Sequence, residues 1–402
     1  MFLIEKYLGY WPVIVGSAAF LVIGLLLWLV AERGLERSRK PLSWVREYRR
    51  PGFPLRAEAL ACRRVGVWDV LPAVLFALAV CVGMRVAAGF SIAGGWAKLL
   101  LSRYFLFNTL ASAAGAVCVA LLLHILFDRR TVTILGSLLF AAAPAEGHVP
   151  ACFLAAVLLF LVLYLRSERS GFAPEILYLL SALAMAASIG IQPRTVLLAP
   201  FVVLAHWYKL FSLRRANRLR FGGLVLALGV ALVLWCGFAV VSAMLRTLLL
   251  CGFGVRTMLI FLRTRGIKLI CAELYYYVLR RAFALPMRNL LLYPMLEAPI
   301  FGLGLFGAVS ALRLGIIRRD PRGWLSFTVL ILTAAVWVAT GCYTVTLGLL
   351  LCLGCLLRNC AIGRKTGWAV AACVLGILYM LVITASTWLL PMAAGLTERI
   401  TA

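Results

Sequence analysis

Long runs of apolar residues alternate with very short polar breaks along most of the chain. Between residues 104 and 207 there are five such runs, and the breaks carry either basic residues (FDRR, YLRSERSG, HWYKL) or proline with a few polar groups (APAEGHVP, GIQPR). A helical run of about 18 to 25 apolar residues matches the hydrocarbon thickness of a bilayer. The pattern therefore predicts helices that cross a membrane back and forth.

The same pattern, followed over the whole chain, predicts an all-α, polytopic membrane protein with about 12 transmembrane helices. Residues 1–66 form an N-terminal span and a basic cytoplasmic linker, 67–389 the main transmembrane domain, and 390–402 a short tail. We expect the spans near 11–31, 67–88, 104–127, 131–144, 149–166, 174–191, 195–209, 221–245, 289–312, 323–339, 342–357 and 367–389.

Composition supports the same class of protein. The chain is 64% hydrophobic and only 13% charged, which is too apolar for a soluble domain of 402 residues. In lipid every backbone amide must be paired within its own segment, so helices are expected. The glycines between Phe301 and Gly307 are predicted to serve close helix packing, and Cys352 and Cys355 to be small buried side chains within a helix.

The net charge is +26, and the distribution of its basic residues predicts how the helices are oriented. Of the 40 Lys and Arg residues, 26 fall in the predicted inside loops, ten of them in 32–66, so both termini are placed outside. This distribution explains the charge without nucleic acid, and no nucleic-acid-binding motif is present. We expect a plasma membrane location, and we prefer a bacterial cytoplasmic membrane because the chain has no long lumenal domain.

Segment 246–288 is the exception to this charge rule. It is predicted to be outside, yet it carries eight basic residues, with apolar residues at helical spacing between them. We predict two amphipathic helices on the outer membrane surface. Their cations suit either a phosphate or pyrophosphate group or unselective contact with anionic lipids. We favour phosphate binding, by Arg263, Arg265, Lys268, Tyr276, Arg280 and Arg281.

Few acidic residues are expected near the outer face. Glu146 lies beside His148 in the tight bend APAEGHVP, and Glu297 is a further acid on that side. An acid at membrane depth is costly and often functional, so Glu146 and His148 are the candidate catalytic pair; the alternative is an exposed loop glutamate without a role. Arg194, in a turn between two spans, is a candidate substrate-binding residue. We expect no cofactor and no metal, since two ligands are too few.

Four helix-end motifs carry a resemblance to a known class. They are Ile125–Arg130 (ILFDRR), Ala141–Pro144, Tyr164–Arg166 (YLR) and Gln192–Arg194 (QPR), and a late helix at 341–357 follows an outer polar turn. This arrangement, over residues 67–389, resembles the GT-C class of integral-membrane glycosyltransferases, which includes protein O-mannosyltransferases and aminoarabinose transferases. The resemblance implies a sugar donor linked to a polyprenyl phosphate, and an acceptor at a cleft on the outer face.

The chain departs from that class in its first outer loop. GT-C enzymes carry a catalytic Asp or Glu there, whereas residues 89–103 contain neither. The acid has been lost, replaced or supplied from elsewhere, so activity as an enzyme is left open. The alternatives are a transporter or flippase for a lipid-linked anion and a non-catalytic subunit that binds another membrane protein. The expected partners are a lipid-linked sugar donor and membrane lipids.

Overall fold

The computed structural model describes residues 11–37, 67–93, 103–143, 148–166, 172–191, 193–202, 205, 296–318, 320–340 and 344–401. Within these residues the protein is all-helical and has no strand. The helices are α1 (Trp11–Arg37), α2 (Val67–Ala93), α3 (Arg103–Phe127), α4 (Arg130–Ala142), α5 (His148–Arg166), α6 (Phe172–Ile191), a 3-10 segment (Pro193–Leu198), α7 (Ala298–Arg318), α8 (Pro321–Thr340), α9 (Thr346–Ile362) and α10 (Thr366–Thr401).

Five of these helices contain a stretch that is long and apolar enough to cross a membrane: α1, α3, α7, α8 and α10. Shorter apolar stretches lie in α2, α4, α5, α6 and α9. Helices α1 and α10 expose large apolar side chains, among them Val15 at 60% and Val382 at 64%. Apolar faces of this kind are stable against lipid and unstable against water. The class of a helical, multi-pass membrane protein is confirmed; the count of 12 spans includes ranges outside the described residues.

The predicted and observed bounds agree for α3 to α6 and for α8, and they differ elsewhere. Helix α2 continues to Ala93, into the predicted outer loop. Helix α10 runs to Thr401 and takes in the predicted tail. The predicted span at 195–209 begins as a 3-10 segment at Pro193. Helix α7 extends past Arg313 to Arg318, because long basic side chains can reach water from the last turns of a membrane helix.

The chain divides into two compact units, with the division falling inside α5 and inside α8. The first unit contains α1 to α4, α7, α9 and α10, the start of α5 and residues 321–334 of α8. Its central element is α9, in which every residue from Thr346 to Cys360 is buried. A helix that is apolar on all sides, as α9 nearly is, belongs inside a bundle.

Glycines set the closest helix contacts of the first unit. A Cβ added at Gly304 would lie 2.8 Å from the Cβ of Leu349, and one at Gly307 would lie 2.5 Å from the backbone carbonyl carbon of Cys352. The backbones of α7 and α9 therefore touch with no room for a side chain, as small residues allow in membrane helices. The predicted packing role of the Phe301–Gly307 glycines is confirmed. From the first contact to the second, the residue number increases in both helices, so α7 and α9 are parallel.

Helix α8 packs antiparallel to α9. A Cβ at Gly348, near the start of α9, would lie 2.6 Å from the Cα of Leu330, whereas Arg358, near the end of α9, contacts Asp320 just before α8. The shared surface of α8 and α9 carries buried polar groups, among them Ser326, Thr333 and Arg358.

In the second unit, α6 packs on the second half of α5. The rings of Tyr164 and Tyr178 lie 5.1 Å apart, and the Ser181 hydroxyl donates to the carbonyl oxygen of Val157 over 3.3 Å. The 3-10 segment folds against the end of α6, where the hydroxyl groups of Ser188 and Thr195 are hydrogen-bonded at 3.3 Å. Hydrogen bonds between hydroxyl groups and neighbouring helices are a common way to fix contacts within lipid.

Candidate functional site

The predicted outer site falls largely outside the described residues. His148 is the first residue of α5, and Arg194 lies in the 3-10 segment. Glu146 lies outside the described ranges, as do Arg263, Arg265, Lys268, Tyr276, Arg280 and Arg281. The grouping of these residues around one cleft stays a prediction.

A buried carboxylate does lie at the predicted outer end of the first unit. Glu297 directly precedes α7 and is only 5% exposed. Its Oε2 atom accepts a hydrogen bond of 2.8 Å from the hydroxyl group of Thr346, the first residue of α9. Because α7 and α9 are parallel, their amino-terminal ends lie together, and the partial positive charge of helix amino termini stabilises a carboxylate there.

A second buried hydrogen bond ties α8 to the same end of α9. The hydroxyl group of Thr344, which is fully buried, donates to the carbonyl oxygen of Thr333 over 2.9 Å. Thr333 in turn donates its own hydroxyl to the carbonyl oxygen of Val329. Thr344 and Thr346 thus connect the start of α9 to α8 and to the residue that precedes α7.

The opposite end, which the charge distribution predicts to be the inner one, holds a buried ion pair. Nη1 of Arg358 lies 2.9 Å from Oδ2 of Asp320, and the two side chains are 7% and 3% exposed. The other carboxylate oxygen of Asp320 accepts the backbone N–H of Arg322 over 3.0 Å. Asp320 therefore caps α8, and Pro321 occupies the first helical position, where its missing N–H costs nothing.

Two free cysteines of α9 lie along the same surface. The Cys352 thiol contacts the carbonyl oxygen of Ser326 at 3.5 Å, and the Cys355 thiol contacts the Ser326 hydroxyl at 3.7 Å. In the part of the chain that the structure describes, no three potential metal ligands come together. These thiols pack between α8 and α9, as buried cysteines usually do.

The two ends differ in the chemistry they could support. The inner pair satisfies its own charges, so it holds α8 and α9 together rather than offering groups to a substrate. Glu297 at the outer end is a carboxylate, the kind of group that takes a proton from a hydroxyl acceptor. Sequence reasoning noted Glu297 but missed the ion pair, for which the dipeptide Asp320–Pro321 was the available signal of a capped helix start.

No family model matches the chain, and no curated protein or solved structure gives a significant match. The fold and the membrane class follow from the helices themselves.

Proposed function

We propose that the protein is an integral-membrane glycosyltransferase of GT-C type, which moves a sugar from a polyprenyl-phosphate donor to an acceptor at the outer face of the membrane. It would act in a plasma membrane, a bacterial cytoplasmic membrane by preference, through about 12 spans.

The observation that carries the proposal is where the helices end. Helix α3 ends at Phe127, directly before Asp128-Arg129-Arg130, and α4 has only 13 residues. Helix α5 ends at Arg166, the last residue of the YLR motif, and Pro193 of the QPR turn begins the 3-10 segment. The four motifs behind the resemblance thus fall on helix boundaries. This supports the proposed arrangement.

The turn after α3 shows how the ILFDRR motif ends one helix and begins the next. Asp128 adopts a left-handed backbone, with φ 48°, and its N–H donates to the carbonyl oxygen of His124 over 2.9 Å. Asp tolerates this conformation better than most residues do. Arg129 is then extended and α4 starts at Arg130, so the chain reverses within two residues. A charged turn this tight suits the headgroup region at a membrane surface.

In the proposed reaction a carboxylate takes the acceptor proton while cations hold the departing phosphate. We assign the base to Glu146, assisted by His148, and the phosphate contacts to Arg194 and the basic residues of 246–288. Glu297 is the competing carboxylate, but its Oε2 atom is engaged by Thr346 and it is 5% exposed. Glu297 is therefore a matched control, being the same residue type at the same predicted end of the protein.

Reconstituted protein and labelled donors test the assignment. Liposomes carrying the purified protein receive a panel of radiolabelled polyprenyl-phosphate sugars, and loss of sugar from the lipid is followed. We expect Glu146→Gln to abolish turnover without affecting insertion, and Glu297→Gln to retain turnover. Full activity in Glu146→Gln would remove that residue as the base, and loss only in Glu297→Gln would transfer the role to it.

The basic loop has its own test. We expect Arg280→Ala together with Arg281→Ala to weaken donor binding, and unchanged binding would reduce that pair to unselective lipid contacts. Saturable donor binding without turnover in the unmodified protein would instead favour a carrier or a non-catalytic partner subunit. If the unmodified protein showed neither donor binding nor donor turnover, the transferase proposal would be refuted.

A further inference from the structure

The ends of α1 and α9 meet backbone to backbone. A Cβ added at Gly34 would lie 3.0 Å from the carbonyl oxygen of Gly363, and one added at Gly363 would lie 3.1 Å from the Cα of Gly34. Facing glycines allow two membrane helices to approach this closely. The contact brings the adjoining residues, Arg33 and Arg364, into the same neighbourhood at the predicted inner end of the bundle.

Three cations lie around this glycine contact. Arg33 and Arg364 are exposed, and Lys365 is half-buried. The acidic neighbour Glu32 is already engaged, since it pairs with Arg313. Within the described residues none of the three cations forms an ion pair. Where unpaired cations gather at one place on a surface, a bound anion relieves their mutual repulsion.

The backbone holds two of these cations in place. Helix α9 ends in a double hydrogen bond in which the N–H of Lys365 donates to the carbonyl oxygen of Cys360 over 2.8 Å and the N–H of Arg364 to that of Ala361 over 3.4 Å. Arg364 takes the left-handed position of this cap, with φ 57°. Glycine normally fills that position. An arginine kept in an unfavourable conformation suggests that its side chain has a function.

An aromatic side chain marks the depth of the cluster. Trp368, in the first turn of α10 and three residues after Lys365, is 65% exposed. Exposed tryptophans at helix ends favour the headgroup level of a bilayer. The cations are therefore at the height of lipid phosphates, on the side to which the basic loops assign the cytoplasm.

We propose that Arg33, Arg364 and Lys365 bind the phosphodiester headgroup of an anionic phospholipid in the inner leaflet. A guanidinium group offers paired N–H donors in one plane to phosphate oxygens, and lysine adds a compact charge. Basic pockets between membrane helices bind acidic headgroups in this way. This proposal rests only on residues of the first unit and is independent of the transferase function.

Binding is measured on the full-length protein in neutral detergent. Phosphatidylglycerol is titrated in, the melting temperature is followed, and phosphatidylcholine and inorganic phosphate are titrated in parallel. Each basic residue near a lipid surface contributes about fivefold in affinity. We therefore expect Arg33→Gln with Arg364→Gln to weaken phosphatidylglycerol binding by roughly 25-fold.

The matched control removes the same charge at another inner turn. Arg129 and Arg130 are exposed at the α3–α4 turn, and Arg129→Gln with Arg130→Gln should leave most of the affinity intact. The melting temperature without lipid shows that both doubles are folded. Equal losses in the two doubles would overturn the site, because net charge alone would then explain binding. A response to inorganic phosphate but not to phosphatidylglycerol would overturn the lipid assignment.

Discussion

Removing the positive partner of the buried Asp320–Arg358 pair should destabilise the first unit strongly. Arg358→Met keeps much of the side-chain volume but leaves the Asp320 carboxylate 3% exposed and without its cation. Breaking a buried ion pair from one side typically costs about 3–5 kcal/mol, because the remaining charge stays desolvated. We expect the free energy of unfolding to fall by about that amount.

A double variant separates the charge from the helix cap. Asp320→Asn retains an oxygen that can accept the N–H of Arg322, so it avoids the cost of about 1 kcal/mol for losing a cap. In Asp320→Asn with Arg358→Met neither side chain is charged, and the double should be less destabilised than Arg358→Met alone. A coupling energy of about 2 kcal/mol or more between the two sites is expected.

The assay is equilibrium unfolding in mixed micelles of a mild detergent and dodecyl sulfate, followed by circular dichroism. The pair of Arg313 with Glu32 provides the control, since its side chains, at 45% and 13% exposed, are both more accessible than those of the inner pair. Exposed pairs contribute about 0–1 kcal/mol, so Arg313→Met should change little. If Arg358→Met cost less than the control, or if the two inner substitutions added without coupling, the description of the pair as a desolvated charge contact would be refuted.

Two further predictions concern glycine. Gly307→Ala should destabilise the protein by about 1–3 kcal/mol in the same unfolding assay, because its Cβ would meet the α9 backbone at 2.5 Å. The control is Gly83→Ala, which has no atom within 4 Å of its added Cβ and should be neutral or stabilising. Equal effects of the two substitutions would contradict the α7–α9 contact. Arg364→Gly should stabilise the α9 cap by up to about 1 kcal/mol, because glycine adopts the left-handed backbone of residue 364 readily. The same substitution should weaken phosphatidylglycerol binding. A lower melting temperature without lipid would contradict the left-handed conformation at residue 364.

Helix boundaries in this chain were largely predictable, since they are marked by residues with a simple physical effect. Charged residues and proline end α3, α4 and α5 within two residues of the predicted positions, because charge is costly in lipid and proline lacks a backbone donor. The end of α10 was not predicted. Its last residues include Glu398 and Arg399, which suggest a tail by polarity but continue the helix.

The buried polar contacts could not be predicted from the sequence alone. Arg358 directly follows the predicted span 342–357 and was among the inside-loop cations that orient the spans. It nevertheless lies inside α9, where Asp320, just before the preceding helix α8, pairs with it. Thr346 likewise gives no sign that it donates to Glu297, 49 positions earlier in the chain. Such pairs depend on which helices are neighbours, and hydrophobic periodicity determines only which faces are buried.

The directions of the helices give an independent check on the charge-based topology. Gly24 contacts Gly302 and Glu32 contacts Arg313, so the residue numbers increase in the same direction and α1 is parallel to α7. Charges place α1 as the first span and α7 as the ninth, and two odd-numbered spans must cross the membrane in the same direction. An error of one span between them would have made these helices antiparallel. The count of spans stays a prediction, and the parallel packing of α1 and α7 is consistent with an even number of crossings between the start of one and the start of the other. The contacts at the end of α9 independently place the Arg33–Arg364 cluster and the Asp320–Arg358 pair at one end of the first unit.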